Sequence, residues 1–513
     1  MILIFKSGIL EKIYIKEQIM LYIGIDLGTS AVKLLLVDEK GTIHNEVSEE
    51  YPVYFPHSGW SEQMPEDWVT AVFRGLEKLT ENADKSLIKG IGCGGQMHGL
   101  VVLDKNDNVL RPAILWNDGR THKEVGFLNN AIGKDVLSEN TANIAFAGLT
   151  APKILWMKNN EPELFEKISK IMLPKDYINY ILTGVHSCDY SDASGMLLLD
   201  VKNKCWSQKM LEICGISEAL LPSLYESYDV TGTLKPEIAQ QLGFSTKTIV
   251  VAGAGDNAAA AIGTATIGNG NCNISIGTSG TVFISSNEFG VDNNNALHSF
   301  AHADGGYHLM GCMLSAASCN KWFMDDILCD NNYNGVQALI NEDKLGRNDV
   351  YFLPYLMGER SPVNDTNARG TFIGMSLATK KEDMLQAVLE GVAFAIRDSF
   401  EIAKSLGLDI KASNICGGGA KSKLWQKIFT NVLGIPLNIL KTEQGPGYGG
   451  AILAMVACNE YTDVAEACKT MVEISETVYP DKELTDRYEI KYNKFKKIYP
   501  ALKNTFADMI TEE

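Results

Sequence analysis

Residues 21–30 read LYIGIDLGTS and residues 31–38 continue AVKLLLVD. An apolar run enters a Gly-Thr-Ser turn and leaves as a second apolar run, which is the pattern of a buried β-hairpin whose bend is made by Gly28. The pattern returns at 273–286, NISIGTSGTVFISS. Strand, Gly-Thr-Ser and strand thus occur twice at domain scale, and such self-similarity implies two α/β domains of like construction, each opening with a hairpin. The expected limits are 20–270 for the first domain and 271–513 for the second. The charged stretch after Tyr479-Pro480, with Tyr488, Tyr492 and Phe495 at helical spacing, is expected as a C-terminal helix that packs back on a domain.

The whole chain bounds these readings. It has 513 residues, 45% of them apolar and 21% charged, so two sizeable cores are affordable and disorder is excluded. The net charge is −17 and no block of Lys or Arg occurs, which speaks against a nucleic-acid partner. An anionic ligand must then be held locally, by backbone amides or a metal. Eleven cysteines lie scattered without a C-x-x-C pair, which fits free thiols in a reducing cytoplasm rather than a zinc site. No run approaches the length of a membrane span. The opening MILIFKSGILEKIYIKEQIM is broken by charges too early for a signal peptide, and 1–19 are expected to be an extension ahead of Met20.

Each hairpin tip exposes N–H groups and hydroxyls, from Thr29 and Ser30 and again from Thr278 and Ser279, that suit phosphate oxygens. Asp26 places a carboxylate beside the first tip, where hydrated Mg²⁺ could sit. The stretch TIVVAGAGDNAAAAIG (248–263) is a strand, a glycine turn and a small-residue helix. Asp256 at its helix start reads either as an N-cap or as a general base for a substrate hydroxyl. Gly253, Gly255 and Ala258 also satisfy a dinucleotide fingerprint, but no acidic residue follows near position 275, and a nicotinamide-binding oxidoreductase is set aside. ICGGGAKS (415–422) is another glycine turn. It is no P-loop, because Ala420 precedes Lys421. Gly417, Gly418 and Gly419, up to Ser422, offer bare backbone to a purine or allow a close helix–strand contact. The cluster GPGYGGA (445–451) lies in the same half, so nucleotide binding is expected there. In the first half GCGGQMHG (92–99) and WNDGR (116–120) gather Gln96, Met97, His98, Trp116, Asn117, Asp118 and Arg120, a mixture that suits a polyol or sugar. For His98 a structural role is an equal alternative.

The chain resembles the FGGY carbohydrate kinases from about Leu21 to the C-terminus. The resemblance rests on YIGIDLGTS (22–30), WSEQ (60–63), GGQMHG (94–99), RPAILWNDGR (111–120), TAPKILW (150–156), LPKDYI (173–178), AGAGDNAA (252–259), SIGTSG (275–280), MLSAASC (313–319), FLPYLMGERSP (352–362) and AVLEGVAFA (387–395). It implies two actin-like domains of the ribonuclease H type around a central cleft. It implies Asp256 as the catalytic base and Asp26 at the Mg²⁺-phosphate site. Met97, His98 and Asn257 would touch the sugar, and Thr278 with the turn at 417–419 would bind ATP. The combination of GGQMHG, WNDGR and GDNAA implies D-xylulose as acceptor. Ribulose, gluconate or glycerol are the alternatives, and an actin-like nucleotide binder without kinase activity is the rival of another class. The expected partner is a small sugar, with no nucleic acid and no membrane. Oligomeric state is left open, a homodimer being one option.

Overall fold

The computed structural model describes residues 19–442 and 444–509, and the extension expected at 1–19 falls outside them except for Ile19. The chain builds two seven-stranded sheets. In the first, Leu21–Leu27 pairs antiparallel with Ala31–Asp38, which pairs antiparallel with Ile43–Glu50. On its other side Leu21–Leu27 runs parallel to Ile88–Gly95, which runs parallel to Ile249–Val251, and Val230–Thr233 closes that edge antiparallel. The second sheet repeats this order. Cys272–Ile276 pairs with Gly280–Ser286, then Tyr307–Met313; on the other side come Ser413–Cys416, Leu437–Leu440 and antiparallel Ile474–Val478. His298–Ala301 adds an outer strand beside Tyr307–Met313.

The duplication expected from the two Gly-Thr-Ser turns is therefore a duplication of strand order, 3-2-1-4-5, the ribonuclease H arrangement. Its logic is local: short turns can join only antiparallel neighbours, so the hairpins form the meander half and helical crossovers supply the parallel half. The first strand is buried almost throughout because helices cover both faces of its sheet. Pro65–Leu79 covers one face with Trp68 and sets Gly75 against Leu34.

The other face is covered by a helix from the far half of the chain. Gly445–Ala457 packs on Leu21–Leu27, Ile88–Gly95 and the helix Asp256–Gly263. The approach is so close that a Cβ on Gly24 would stand 1.8 Å from the Gly447 carbonyl oxygen, one on Gly92 2.0 Å from that of Gly450, and one on Gly449 1.8 Å from that of Ala259. The third glycine cluster, placed with the nucleotide site on sequence grounds, is thus a packing face against the first sheet. Lys482–Phe495 forms the expected helix, whose Tyr488, Tyr492 and Phe495 bury against Phe394 in the second core, and a further helix, Ile498–Asp508, follows it. Among the described residues no helix is long and apolar enough to cross a membrane.

Candidate active site

Asp26 and Asp256 meet where the first sheet opens. Asp26 lies near the end of its strand, in register with Gly94 on one side and with Lys33 on the other. Asp256 is the first residue of its helix, behind Gly255, which holds the N-cap position. Its Oδ1 accepts the Asn257 N–H at 2.7 Å and Asn257 Nδ2 at 2.8 Å. The N-cap alternative falls away, and the carboxylate is left half-buried. Burial pushes Asp256 up to about 6 against those two hydrogen bonds. Burial and then the nearby Asp256 charge push Asp26 up to about 7, with Lys33 opposing. Two carboxylates with raised pKa values in one opening are a chemical signature of proton handling or cation binding.

The turn that aims Asp256 is anchored from below by charges that sequence reading did not single out. Lys175, fully buried, pairs with Asp176 at 2.7 Å and Asp189 at 3.1 Å, and donates to the Ala252 carbonyl at 3.1 Å. Asp189 accepts from Ser191 and Ser227, and Ser191 Oγ accepts the Gly255 N–H at 3.1 Å. Burial, which would discharge Lys175, is outweighed by Asp176, Asp189 and Asp192, so the lysine stays charged. Burial drives Asp192 the other way, well above the usual carboxylate range.

The first hairpin tip rests on a chain of amides. Gln63 Nε2 donates to the Thr29 carbonyl at 2.6 Å, and Gln63 Oε1 accepts from Trp68 Nε1 at 3.0 Å and Gln96 Nε2 at 2.9 Å. Gln96 therefore supports the tip through its amide nitrogen, while its buried Oε1 has no partner among the described residues. Trp116, 43% exposed, donates from Nε1 to Thr29 Oγ1 at 2.9 Å. Ser30 closes the turn by accepting the Tyr51 N–H through its carbonyl. Asp118 is not turned to the cleft. Both its oxygens are taken, by the Arg120 guanidinium at 2.9 and 2.7 Å and by the Ser61 N–H at 2.6 Å. Its expected contact with substrate gives way to a structural one, as Arg120 stacks 3.7 Å above Trp60.

Met97 lies against Gly255, where a Cβ would stand 2.9 Å from its sulfur. It joins Ala261, Phe283, Phe300 and Met310 in a small core shared by the two domains. His98 adopts φ 68°, held by Thr150 Oγ1 and Lys153 Nζ on its carbonyl at 3.0 and 2.8 Å. Its Nδ1 faces the Gly195 carbonyl at 2.9 Å, and since a carbonyl only accepts, Nδ1 carries the proton. Burial, with Lys153, His298 and Arg360 nearby, holds the ring well below its ordinary pKa. His98 is a neutral imidazole whose Nε2 is left as an acceptor.

In the second domain Thr278, Gly418, Gly419 and Ser422 line one cavity of 460 Å³ with Tyr333 and Gln337. Gly417 sits at φ 91°, against the Ile276 carbonyl, and turns the chain so that Gly418 faces open space. Ser422 donates to Gln337 at 2.7 Å and caps Lys423–Leu433, so its hydroxyl is already engaged. Ser279 stands beside Thr278 in the second tip, whose carbonyl is held by the Ala316 N–H at 3.0 Å.

Two hairpin-bearing domains, a nucleotide-sized cavity on one and an acid pair with a sugar-like wall on the other define a carbohydrate kinase. The chain belongs to the FGGY family of carbohydrate kinases: the family's N-terminal domain matches residues 21–263 and its C-terminal domain residues 272–458. The xylulose kinase of Escherichia coli K12 is 38% identical over 94% of this chain and 99% of its own length. The crystal structure of a xyloylose kinase from Brucella ovis superimposes with a TM-score of 0.90 at 38% identity, covering 94% of this chain and all of that one. That of a gluconate kinase from Lactobacillus acidophilus gives 0.91 at 27% identity, over 96% and 100%. FGGY kinases use ATP with a divalent metal.

Proposed function

We propose that this kinase transfers the γ-phosphoryl group of ATP to the terminal hydroxyl of D-xylulose, giving D-xylulose 5-phosphate and ADP. The observation that carries the acceptor is near full-length kinship with xylulose kinases at 38% identity. The wall of Met97, His98 and Asn257 beside Asp256 supports it from the chain's own residues.

In this reading Asp256 accepts the hydroxyl proton as that oxygen attacks phosphorus and the bond to the β-phosphate oxygen breaks, the electron pair leaving with ADP. His98 Nε2 accepts from a sugar hydroxyl, and Asn257 orients the ligand while fixing Asp256. Thr278, Ser279 and the turn at 417–419 hold the nucleotide, and Thr29 and Ser30 face the phosphates from the other wall. Among the described residues no three His, Cys, Asp or Glu side chains gather into a metal cage. Asp26 with its raised pKa therefore fits a cation held mainly by water and phosphate, as Mg²⁺ is, and bound Mg²⁺ would neutralise phosphate charge. Positioning and electrostatics rather than covalent help set the rate. We place the reaction in the cytoplasm, supported by eleven cysteines that form no disulfide.

The test is ADP release with Mg-ATP and D-xylulose, beside D-ribulose, gluconate and glycerol. Stimulation by D-xylulose is expected. Stimulation by another polyol alone would overturn the acceptor, and none by any of them would leave an actin-like nucleotide binder.

A further inference from the structure

Arg360 is an arginine outside every ion pair among the described residues. It lies in the segment 352–362 of the second domain, and among the described residues no carboxylate forms an ion pair with its guanidinium. Glu359, next in sequence, is 2% exposed, its Oε1 accepts the N–H groups of Leu314 and Arg360, both at 2.8 Å, and it makes no ion pair with the guanidinium. Burial pushes that carboxyl up to about 8, so it is neutral at pH 7. The Arg360 guanidinium instead lies over the Phe146 ring at 5.5 Å; burial raises the pKa of the Cys312 thiol, and the guanidinium charge lowers it.

These neighbours lead to the sugar wall. Phe146 stands 5.3 Å from His298, His298 stacks on Phe300 at 5.4 Å, and Phe300 meets His98 edge-on at 6.4 Å. Behind burial, the Arg360 charge is a further cause of the low pKa of both His98 and His298. Cys312 in turn feels the charges of Arg360, Asp256 and Glu359. The nucleotide cavity has a different lining altogether.

A guanidinium offers five N–H donors in a rigid fork, and those of half-buried Arg360 donate to no oxygen among the described residues, which leaves them open to a ligand's oxygens. The ligand at this wall is rich in oxygen acceptors. We propose that Arg360 is a substrate-contact residue supplied by the second domain, donating to oxygens of the ketose whose other side meets His98 and Asn257 of the first. The inference rests on the sugar-kinase reading above. It makes the sugar a bridge between the two domains, so that binding draws the cleft shut and completes the site only when the acceptor is present.

The experiment compares the full-length enzyme with Arg360→Gln and Arg360→Lys, measuring kcat and KM for sugar and for ATP, and sugar affinity by calorimetry without nucleotide. Arg360→Gln should weaken D-xylulose by about 10-fold or more in both KM and affinity, the loss typical of a charge-assisted hydrogen bond. The KM for ATP should stay within about twofold, and Arg360→Lys should recover part of the loss. A sugar KM unchanged in Arg360→Gln, or sugar and ATP constants that rise together, would overturn the proposal. Should the Gln variant fail to fold, Arg360→Lys decides: a raised sugar KM supports the contact and an unchanged one refutes it. A wild-type enzyme inactive on D-xylulose would sink the functional reading instead, and the same KM criterion then applies to whichever polyol it accepts.

Discussion

Asp26 and Asp256 come from a strand and from a helix start some 230 residues apart in sequence, yet the charge of Asp256 reaches Asp26 and adds to the burial that lifts its pKa to about 7. Among the described residues no cation forms an ion pair with either carboxylate, and only the Lys33 charge opposes the rise of Asp26. Such a pair is a poised site: it gains from a bound cation and from a proton donor at once. With Asp256 as base, Asp256→Asn should lower kcat by about 10²–10⁴-fold while the KM for ATP changes little. Steady-state kinetics with D-xylulose check this, and a variant that kept near-normal turnover would remove Asp256 from the chemistry.

The same substitution should stabilise the fold. Burial raises Asp256 from an ordinary 3.8 to about 6, so the folded state binds this proton more tightly than the unfolded chain does. Stability is therefore lost as pH rises through that interval, and the full penalty is present above it. Asn keeps the acceptor oxygen for Asn257 and carries no charge. Asp256→Asn should gain about 3 kcal/mol at pH 7.5, and the gain should shrink to nothing near pH 4. Thermal unfolding at the two pH values, without nucleotide or metal, measures it; a gain independent of pH would mean that packing and not titration is responsible.

What could be read from the sequence was what local chemistry decides. The two Gly-Thr-Ser turns gave a duplicated α/β fold because a hairpin declares itself within about 18 residues. Asp256 stood out because a strand, a glycine turn and a helix place it. Asp118 misled: a carboxylate near a sugar-like motif looks available, and only the fold shows the Arg120 guanidinium and the Ser61 N–H filling it. The glycines at 445–451 misled for a similar reason, since the surface a helix meets is set by distant chain. Lys175 and Arg360 were passed over because their meaning lies in partners from remote segments, Ala252 and Asp189 for one, Phe146 and Cys312 for the other.

Lys175 is the keystone beneath the Gly253–Gly255 turn, and its loss leaves buried carboxylates without their cation. Removing one partner of a buried ionic group costs about 3–5 kcal/mol, so Lys175→Met should unfold at markedly lower denaturant. Adding Asp176→Asn, which retains an acceptor for the Leu173 N–H, should restore part of that stability. In the surviving fraction kcat should fall more than either KM rises, because the Gly253–Gly255 turn that aims Asp256 has lost its anchor. Equal stability of the single and double variants would show that the cluster is not coupled as drawn.

Gly24 fixes how the helix Gly445–Ala457 seats on the first sheet, and through it how the two halves of the chain are joined. A methyl group there would lie 1.8 Å from the Gly447 carbonyl oxygen, a backbone atom that no rotamer change can move aside. Gly24→Ala should therefore cost about 3 kcal/mol or more, the upper range for forcing extra volume into a packed interior. Gly126→Ala is the fitting control: a Cβ there meets nothing within 4 Å, the residue lies inside a helical run that continues from His122–Gly126 into Phe127–Gly133, and alanine should be neutral or gain up to about 1 kcal/mol. Denaturant unfolding of both variants tests the contact. If Gly24→Ala were as stable as the wild type, the helix would have to sit further from the sheet than described, and the seam between the two halves would be looser than these glycines make it.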